Sequence, residues 1–198
     1  MTYSYRIEQA IRAAAMLHHG QTRKGSIPYP YLSHCVSVAM LVSDYTDDED
    51  TIIAAFLHDT IEDTEYTAAE LEEDFGKNVR EIVEGITEPA VSPSIPTHEL
   101  WKEKHTQYVA KLKEAPLASL TVAAADKIHN MRTIIEEYHR DHERFSQDFG
   151  GTREERLTIY QSISNILNTR LQNEIVHEFN HVFEEYKQFI YDAQPHTS

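Results

Sequence analysis

The sequence predicts an all-α fold of about eight or nine helices, and three observations carry that prediction. Apolar residues recur at three- and four-residue intervals through most of the chain. No alternating period-two run of useful length interrupts them, so no sheet is expected. Glycine, proline and acidic clusters fall between the periodic segments, where turns belong.

Taken in order, Ile7, Ala10, Ile11, Ala14 and Leu17 mark a first amphipathic helix over about 4–19, closed by His18-His19-Gly20. Residues 20–33 hold two glycines and two prolines and read as a loop. Val36, Val38, Ala39, Leu41 and Val42 give a second helix beginning near Ser33 or His34, and the Asp44–Asp50 stretch is an acidic turn. A third helix starts near Glu49. Thr67-Ala68-Ala69-Glu70 has the capping-box pattern, Gly76 breaks that helix, and Val79, Ile82, Val83 and Ile86 line one face of the next. Glu88 to Thr97, with three prolines, is the least regular connection. Leu100, Trp101, Tyr108, Val109 and Leu112 mark another helix, and the nearly all-apolar run Leu117–Ala125 should lie at the centre of the core. Residues 139–151 read as a polar, flexible loop, after which two helices close the chain over about 152–192.

The 198 residues suit one domain, 1–198, with a sizeable core. Eighteen Lys and Arg stand against 33 Asp and Glu, a formal net charge of −15. That balance argues against sequence-independent nucleic-acid binding and against adhesion to an anionic membrane. An anionic substrate would need a local basic patch to hold it. The lone cysteine, Cys35, can form no intrachain disulfide. The N-terminus lacks the apolar segment of a signal peptide, and no apolar run reaches the ~20 residues that cross a bilayer. A cytoplasmic location is the expectation; oligomeric state cannot be read.

The chain is organised around Phe56-Leu57-His58-Asp59-Thr60-Ile61-Glu62-Asp63-Thr64. In a continued helix Glu62 lies one turn from His58 and Asp63 one turn from Asp59, so all four share a side. Four ionisable groups at the end of an apolar helix are costly to bury without compensation. A divalent metal with bound water is one compensation; an acidic helix end running into solvent is the plain alternative. Asp126 follows the apolar run Leu117–Ala125, and His34 opens the second helix. Together His34, His58, Asp59 and Asp126 would come from the ends of three helices, which is how an all-α protein builds an interior metal site. Two imidazoles and two carboxylates suit Mn²⁺, Fe²⁺ or Zn²⁺ rather than a thiolate zinc site. Four such ligands on an octahedral ion leave room for water and a substrate oxygen. Lys24, Lys127 and Arg132 are the cations beside this acidic centre.

These elements resemble the HD-domain metal-dependent phosphohydrolases, and within them the hydrolase domain of RelA/SpoT proteins and the stand-alone small alarmone hydrolases. The motifs are His18-x-Gly20-Gln21-x-Arg23-Lys24, Pro30-Tyr31-x-x-His34 and His58-Asp59-x-x-Glu62-Asp63-Thr64, then Phe75-Gly76-x-x-Val79 and Ala125-Asp126-Lys127-x-x-Asn130-Met131-Arg132-Thr133. They span about 7–135, in the family's order. The resemblance implies a helical fold, one Mn²⁺, and hydrolysis of (p)ppGpp at the ribose 3′ position to pyrophosphate and GDP or GTP. It implies that His34, His58, Asp59 and Asp126 hold the metal and that Glu62 and Asp63 orient and deprotonate the attacking water. It further implies that Arg23 and Lys24 meet the nucleotide, by stacking on the base and by reaching phosphate, and that Asn130 and Thr133 touch the ribose and its phosphates. Lys127 and Arg132 join the expected substrate contacts. Cys35 stands where the family usually has proline, and Ile27-Pro28-Tyr29-Pro30 is unusual in the loop, which leaves guanine against adenine open. Beyond residue 140 little matches and no synthetase domain follows, so alarmone synthesis is not expected. The alternatives are a phosphohydrolase of (p)ppApp, NADPH or another phosphorylated nucleotide, and a non-catalytic HD module that binds metal or nucleotide.

Overall fold

A computed structural model describes residues 2–89, 97–139, 141–149 and 151–192. Among the described residues the regular structure is helical throughout: α1 Tyr5–Leu17, α2 Leu32–Ser43, α3 Glu49–Leu57, α4 Thr60–Asp63, α5 Ala68–Phe75, α6 Lys77–Ile86, α7 Thr97–Leu112, α8 Leu117–Tyr138, α9 His142–Asp148, α10 Arg153–Arg170 and α11 Ile175–Asp192. The all-α expectation therefore holds, with α4 and α9 added to the nine periodic segments. Most of the proline-rich connection, residues 90–96, lies outside the described residues.

Local chemistry sets the helix starts. Ser4, Asp48 and Asp141 accept backbone N–H bonds from Ile7, Thr51 and Arg144 as N-caps. Thr67 with Glu70 and Thr152 with Glu155 form complete capping boxes, the first of which the sequence announces. Gly76, at φ 92°, turns the chain between α5 and α6, a conformation that costs glycine little.

The core is built on α3 and α8. Every residue from Thr51 to Leu57 is buried, as is Ser119–Asp126 of α8. Helices α1, α2, α6 and α8 surround α3, and α11 packs along α8. Buried apolar residues from α1 to α11 join in one contiguous cluster. The centre of this core is thus made of the two apolar runs whose ends carry the ionisable residues.

Two expectations change. The segment 139–151 is not a loop throughout: Phe145 and Phe149, four residues apart, pack with Tyr138 at 5.8 and 5.5 Å between ring centroids, and this cluster draws α9 into the fold. Nor does the third helix run on through Asp63. It ends at Leu57; the Thr60 hydroxyl donates to the Leu57 carbonyl at 2.6 Å, and α4 restarts one turn later. Side chains here satisfy carbonyls that the helix end leaves open.

Helices α6 and α8 approach closely at Gly85. A Cβ there would meet Pro116 Cδ at 3.3 Å and the Ser119 side chain, whose hydroxyl donates to the Ile82 carbonyl. Gly85→Ala should therefore lose about 1–2 kcal/mol, the overpacking cost outweighing alanine's helix preference. A lower urea midpoint at unchanged slope is the expected reading; a higher midpoint would refute the close packing.

Candidate active site

The ends of α2, α3 and α8 meet at one point. His34 is in the first turn of α2, His58 and Asp59 follow α3, and Asp126 lies ten positions into α8. His34 Nε2 is 3.1 Å from His58 Nε2, 3.3 Å from Asp126 Oδ1 and 3.5 Å from Asp59 Oδ2. His58 Nε2 is 3.0 Å from Asp59 Oδ2 and 3.7 Å from Asp126 Oδ1. The structure thus brings together all four residues expected as ligands. His34, His58 and Asp126 each offer a ligand atom within 4.8 Å of the others, and all three are buried.

The hydrogen bonds around this point direct the lone pairs inward. His58 Nδ1–H donates to the Ala55 carbonyl at 2.9 Å, which leaves Nε2 bare in the neutral ring. His34 Nδ1 is 2.9 Å from Nδ1 of His129, whose pKa burial and the nearby His34 depress to about 4. A neutral His129 can accept the His34 Nδ1–H, again leaving Nε2 bare. Tyr31 donates its hydroxyl to Asp59 Oδ2 at 2.6 Å, and burial with the Asp59 charge keeps that phenol protonated. Two imidazole nitrogens and two carboxylates converging on a common centre fit a divalent ion: ligands ~2.1 Å from one metal lie about 3–4 Å apart. Without such an ion, burial disfavours charge on His58, yet Asp59 and Asp126 outweigh it and hold the pKa well above that of a free imidazole. Burial likewise opposes ionisation of the two carboxylates; His58 and His34 beside Asp59, and Lys127 with both histidines beside Asp126, keep them well below the usual range.

A polar pit of about 160 Å³ opens over this centre, lined by His58, Asp59, Glu62, Asp63, Glu88, Asp126 and others. The break after Leu57 leaves His58, Asp59, Glu62 and Asp63 on one cavity wall, although not by a continuous helix. The Asp63 N–H still reaches the Asp59 carbonyl at 2.8 Å, which preserves the one-turn spacing. Glu62 Oε1 accepts from Lys104 Nζ at 2.7 Å, and its Oε2 accepts from the Glu88 backbone N–H at 3.1 Å. Burial and the Glu88 charge raise the Glu62 pKa against the pull of Lys104; burial and the Asp59 charge raise that of Asp63.

The pit joins a chamber of about 600 Å³, in the range of small-molecule sites. Tyr31, Asp63, Tyr108, Lys127 and Asn130 border both. Arg23, Lys24 and Thr133 line the chamber beside the aromatic side chains of Trp101, Tyr138, Phe149 and Tyr160. Arg23 lies over the Tyr31 ring and donates to Asn130 Oδ1 at 2.5 Å, while Asn130 Nδ2 donates to Asp126 Oδ1, also at 2.5 Å. Lys24 Nζ donates to the Asp148 carbonyl at 2.9 Å. The 20–33 loop is anchored by Ser26, whose N–H and hydroxyl both bond to Glu137 Oε2 of α8. Lys127 Nζ sits 2.9 Å from Asp126 Oδ2.

Arg132 is the exception. It lines neither cavity, and its Nη2 lies 2.7 Å from Glu178 Oε1 of α11. At ~100° per residue, Asn130 and Thr133 return to the face of Asp126, whereas Arg132 points some 240° round the helix. The side chains the sequence reading leaves out are Tyr31, Glu88, Lys104, Tyr108 and His129. Tyr31 and His129 stand inside the motifs and could have been found there. Glu88, Lys104 and Tyr108 lie outside every motif and carry no local signal.

A family model described as HD domain matches residues 10–170. The bifunctional (p)ppGpp synthase/hydrolase SpoT of Escherichia coli (strain K12) is 35% identical over 129 residues, 65% of this chain and 18% of SpoT. A GTP pyrophosphokinase of Myxococcus xanthus is 34% identical over 164 residues, 81% of this chain and 20% of the relative. The chain spans about a fifth of the length of these curated relatives. Among solved structures, a metazoan orthologue of SpoT that hydrolyses ppGpp and plays a role in starvation responses superposes with a TM-score of 0.74. The match covers 93% of this chain and 97% of that one at 22% identity. A Listeria monocytogenes protein gives 0.66 over 78% and 99% at 21% identity. At such identities these two likenesses concern the fold.

Proposed function

This chain is a member of the HD domain family, and from that premise we propose that it is a metal-dependent hydrolase of (p)ppGpp. It removes the ribose 3′-diphosphate, releasing pyrophosphate and GDP or GTP. The observation that carries the reading is the convergence of His34, His58, Asp59 and Asp126 beside the Glu62–Asp63 pair, at the floor of a chamber of nucleotide size. Residues 1–198 act as one hydrolase domain, a view supported by the contiguous core from α1 to α11. A cytoplasmic setting suits this substrate, and the buried thiol of Cys35 is compatible with it.

His34, His58, Asp59 and Asp126 would hold one Mn²⁺. Bound there, the ion supplies Lewis-acid polarisation and charge neutralisation for the phosphoryl group. The chain's own residues do the rest. Glu62 and Asp63 orient a water and take its proton as its oxygen attacks the proximal phosphorus. The bond from that phosphorus to the ribose 3′ oxygen breaks; the oxygen takes a proton from solvent and leaves as a hydroxyl, and the Glu62–Asp63 pair returns its proton to solvent. Arg23 offers a guanidinium face to the base, Lys24 and Lys127 offer ammonium groups to phosphates, and Asn130 and Thr133 border the ribose. Arg132, paired with Glu178, is left out of this set.

Pyrophosphate release from ppGpp and pppGpp, with ppApp and NADPH as comparisons, tests the reading. Turnover of ppGpp with Mn²⁺, abolished by EDTA, is expected. Absence of turnover on every 3′-phosphorylated nucleotide would overturn it.

His129 orients His34 in this reading, as a side chain in place of the carbonyl that orients His58. Partners of this kind are worth roughly 10–100-fold in metal affinity. His129→Ala should weaken Mn²⁺ binding by about that factor. His129→Asn, which keeps an acceptor, should recover part of it. Calorimetric Mn²⁺ titration decides, and equal affinities in all three proteins would exclude the role.

A further inference from the structure

Five carboxylates, those of Asp59, Glu62, Asp63, Glu88 and Asp126, line the pit. A phosphate entering this field needs cations from the chain as well as from any bound ion. Two ammonium groups are close by, and they are placed differently. Lys127 is held in place: its Nζ is 2.9 Å from Asp126 Oδ2 and 5.0 Å from the Tyr108 ring centroid, with its side chain 15% exposed. Lys104 comes from α7, and its side chain is 33% exposed. It lines the large chamber, whereas its two partners, Glu62 and Glu88, line the pit. Its Nζ lies 2.7 Å from Glu62 Oε1 and 3.0 Å from Glu88 Oε2.

That placement has a consequence for Glu62. While Lys104 is bonded to Oε1, the ammonium N–H occupies this oxygen and a water cannot approach it to deliver its proton there. A flexible four-carbon stem lets the lysine charge change partners without movement of its helix. Were Nζ to leave Glu62, Glu88 would still partner it. Glu62 would also stay oriented, because the Glu88 backbone N–H holds Oε2 at 3.1 Å. The arrangement is therefore a pair of carboxylates sharing one cation at the border between the large chamber and the pit.

We propose that Lys104 is a phosphate-binding residue whose ammonium passes from Glu62 to a substrate phosphate oxygen, freeing Glu62 to accept the proton of the attacking water. The ammonium keeps its three protons throughout: the first step exchanges ion-pair partners, and the proton from water goes to Glu62 afterwards. The second half of the proposal rests on the hydrolase reading above. Phosphate binding by Lys104 does not depend on which nucleotide is turned over.

The test titrates inorganic pyrophosphate into the full chain loaded with one equivalent of Mn²⁺, the ion's retention followed by its EPR signal. Lys104→Met should weaken pyrophosphate binding about tenfold or more, the worth of one hydrogen bond to a charged group. Lys104→Arg, which keeps the charge, should stay within about threefold. Glu62→Gln removes the competitor and should tighten binding by about threefold or more, a gain that disappears when Lys104→Met is added. Unchanged affinity in Lys104→Met overturns the proposal, as does an equal Glu62→Gln gain in both backgrounds, which would mark a diffuse field. In turnover, Lys104→Met should raise KM at least as much as it lowers kcat. A fall in kcat alone, with KM and pyrophosphate affinity intact, would make Lys104 only a strut for Glu62 and also overturns the proposal. Should wild type hydrolyse no 3′-diphosphate nucleotide while the Lys104 effects on pyrophosphate persist, the hydrolase reading falls and the phosphate site stands.

Discussion

Exchanging Glu62 for Gln together with Asp63 for Asn should lower kcat for ppGpp hydrolysis by about a thousandfold or more, the scale of lost general-base catalysis. Mn²⁺ affinity should stay within about threefold, since neither residue is among the four proposed ligands; the pair enters in the transition state and not in metal binding. Their environment suits the task. Burial and the Glu88 charge push the Glu62 carboxyl above its ordinary pKa, as burial does that of Asp63, and a carboxylate of raised pKa is the stronger base. The sign follows: below the raised pKa the pair is protonated and cannot accept a proton, and above it the pair is active. An acid limb of kcat/KM set by the pair should therefore vanish in the double variant. Single-turnover assays across pH check both points. Residual turnover near the wild-type rate, with the limb unmoved, would remove Glu62 and Asp63 from the chemistry.

The parts of this site that lie within one stretch of sequence were legible; the parts assembled by tertiary packing were not. His58-Asp59-x-x-Glu62-Asp63 declares itself because an apolar helix has no reason to end in four ionisable groups. Asp126 stands out after the apolar run of α8 for the same reason. Their meeting with His34 was implied by the family resemblance and not by spacing. Lys104 gave no such signal, because a lysine on an amphipathic helix is the commonest of surface residues, and only the packing of α7 against α6 and α10 carries it to Glu62. Arg132 shows the converse case: the motif offers it as a substrate contact, whereas its side chain pairs with Glu178. It stands next to Met131 and Thr133 in a motif, yet adjacency along a helix sets neighbours a hundred degrees apart. The missed α9 has a related cause: its polar composition hides the Phe145–Phe149 spacing, which matters only once Tyr138 is there to receive it.

Removing one of the proposed metal ligands should have the largest effect of all. His58→Ala deletes an imidazole that faces His34, Asp59 and Asp126 within 3.7 Å, so Mn²⁺ affinity should fall by about a hundredfold or more and turnover should be lost at ordinary metal concentrations. Loss of activity alone could reflect unfolding, so thermal melting provides the second reading. Mn²⁺ at a hundred times the wild-type Kd should stabilise the wild type by about 2.7 kcal/mol and raise its Tm, whereas the variant should gain about 0.4 kcal/mol or less at that concentration. The metal-free variant is itself destabilised, because removing the His58 cation leaves Asp59 and Asp126 short of a partner, so the reading is the Mn²⁺-dependent shift within each protein. In the metal-free wild type, burial disfavours the His58 cation but Asp59 and Asp126 hold it protonated, so Mn²⁺ has to displace a proton. Affinity should accordingly rise with pH across neutrality, with proton release visible as buffer-dependent heats of binding, and His58→Ala should flatten that dependence. A variant that binds Mn²⁺ as tightly as wild type, with the same pH slope, would mean that the ion sits elsewhere, and the roles assigned to His34, Asp59 and Asp126 would go with it.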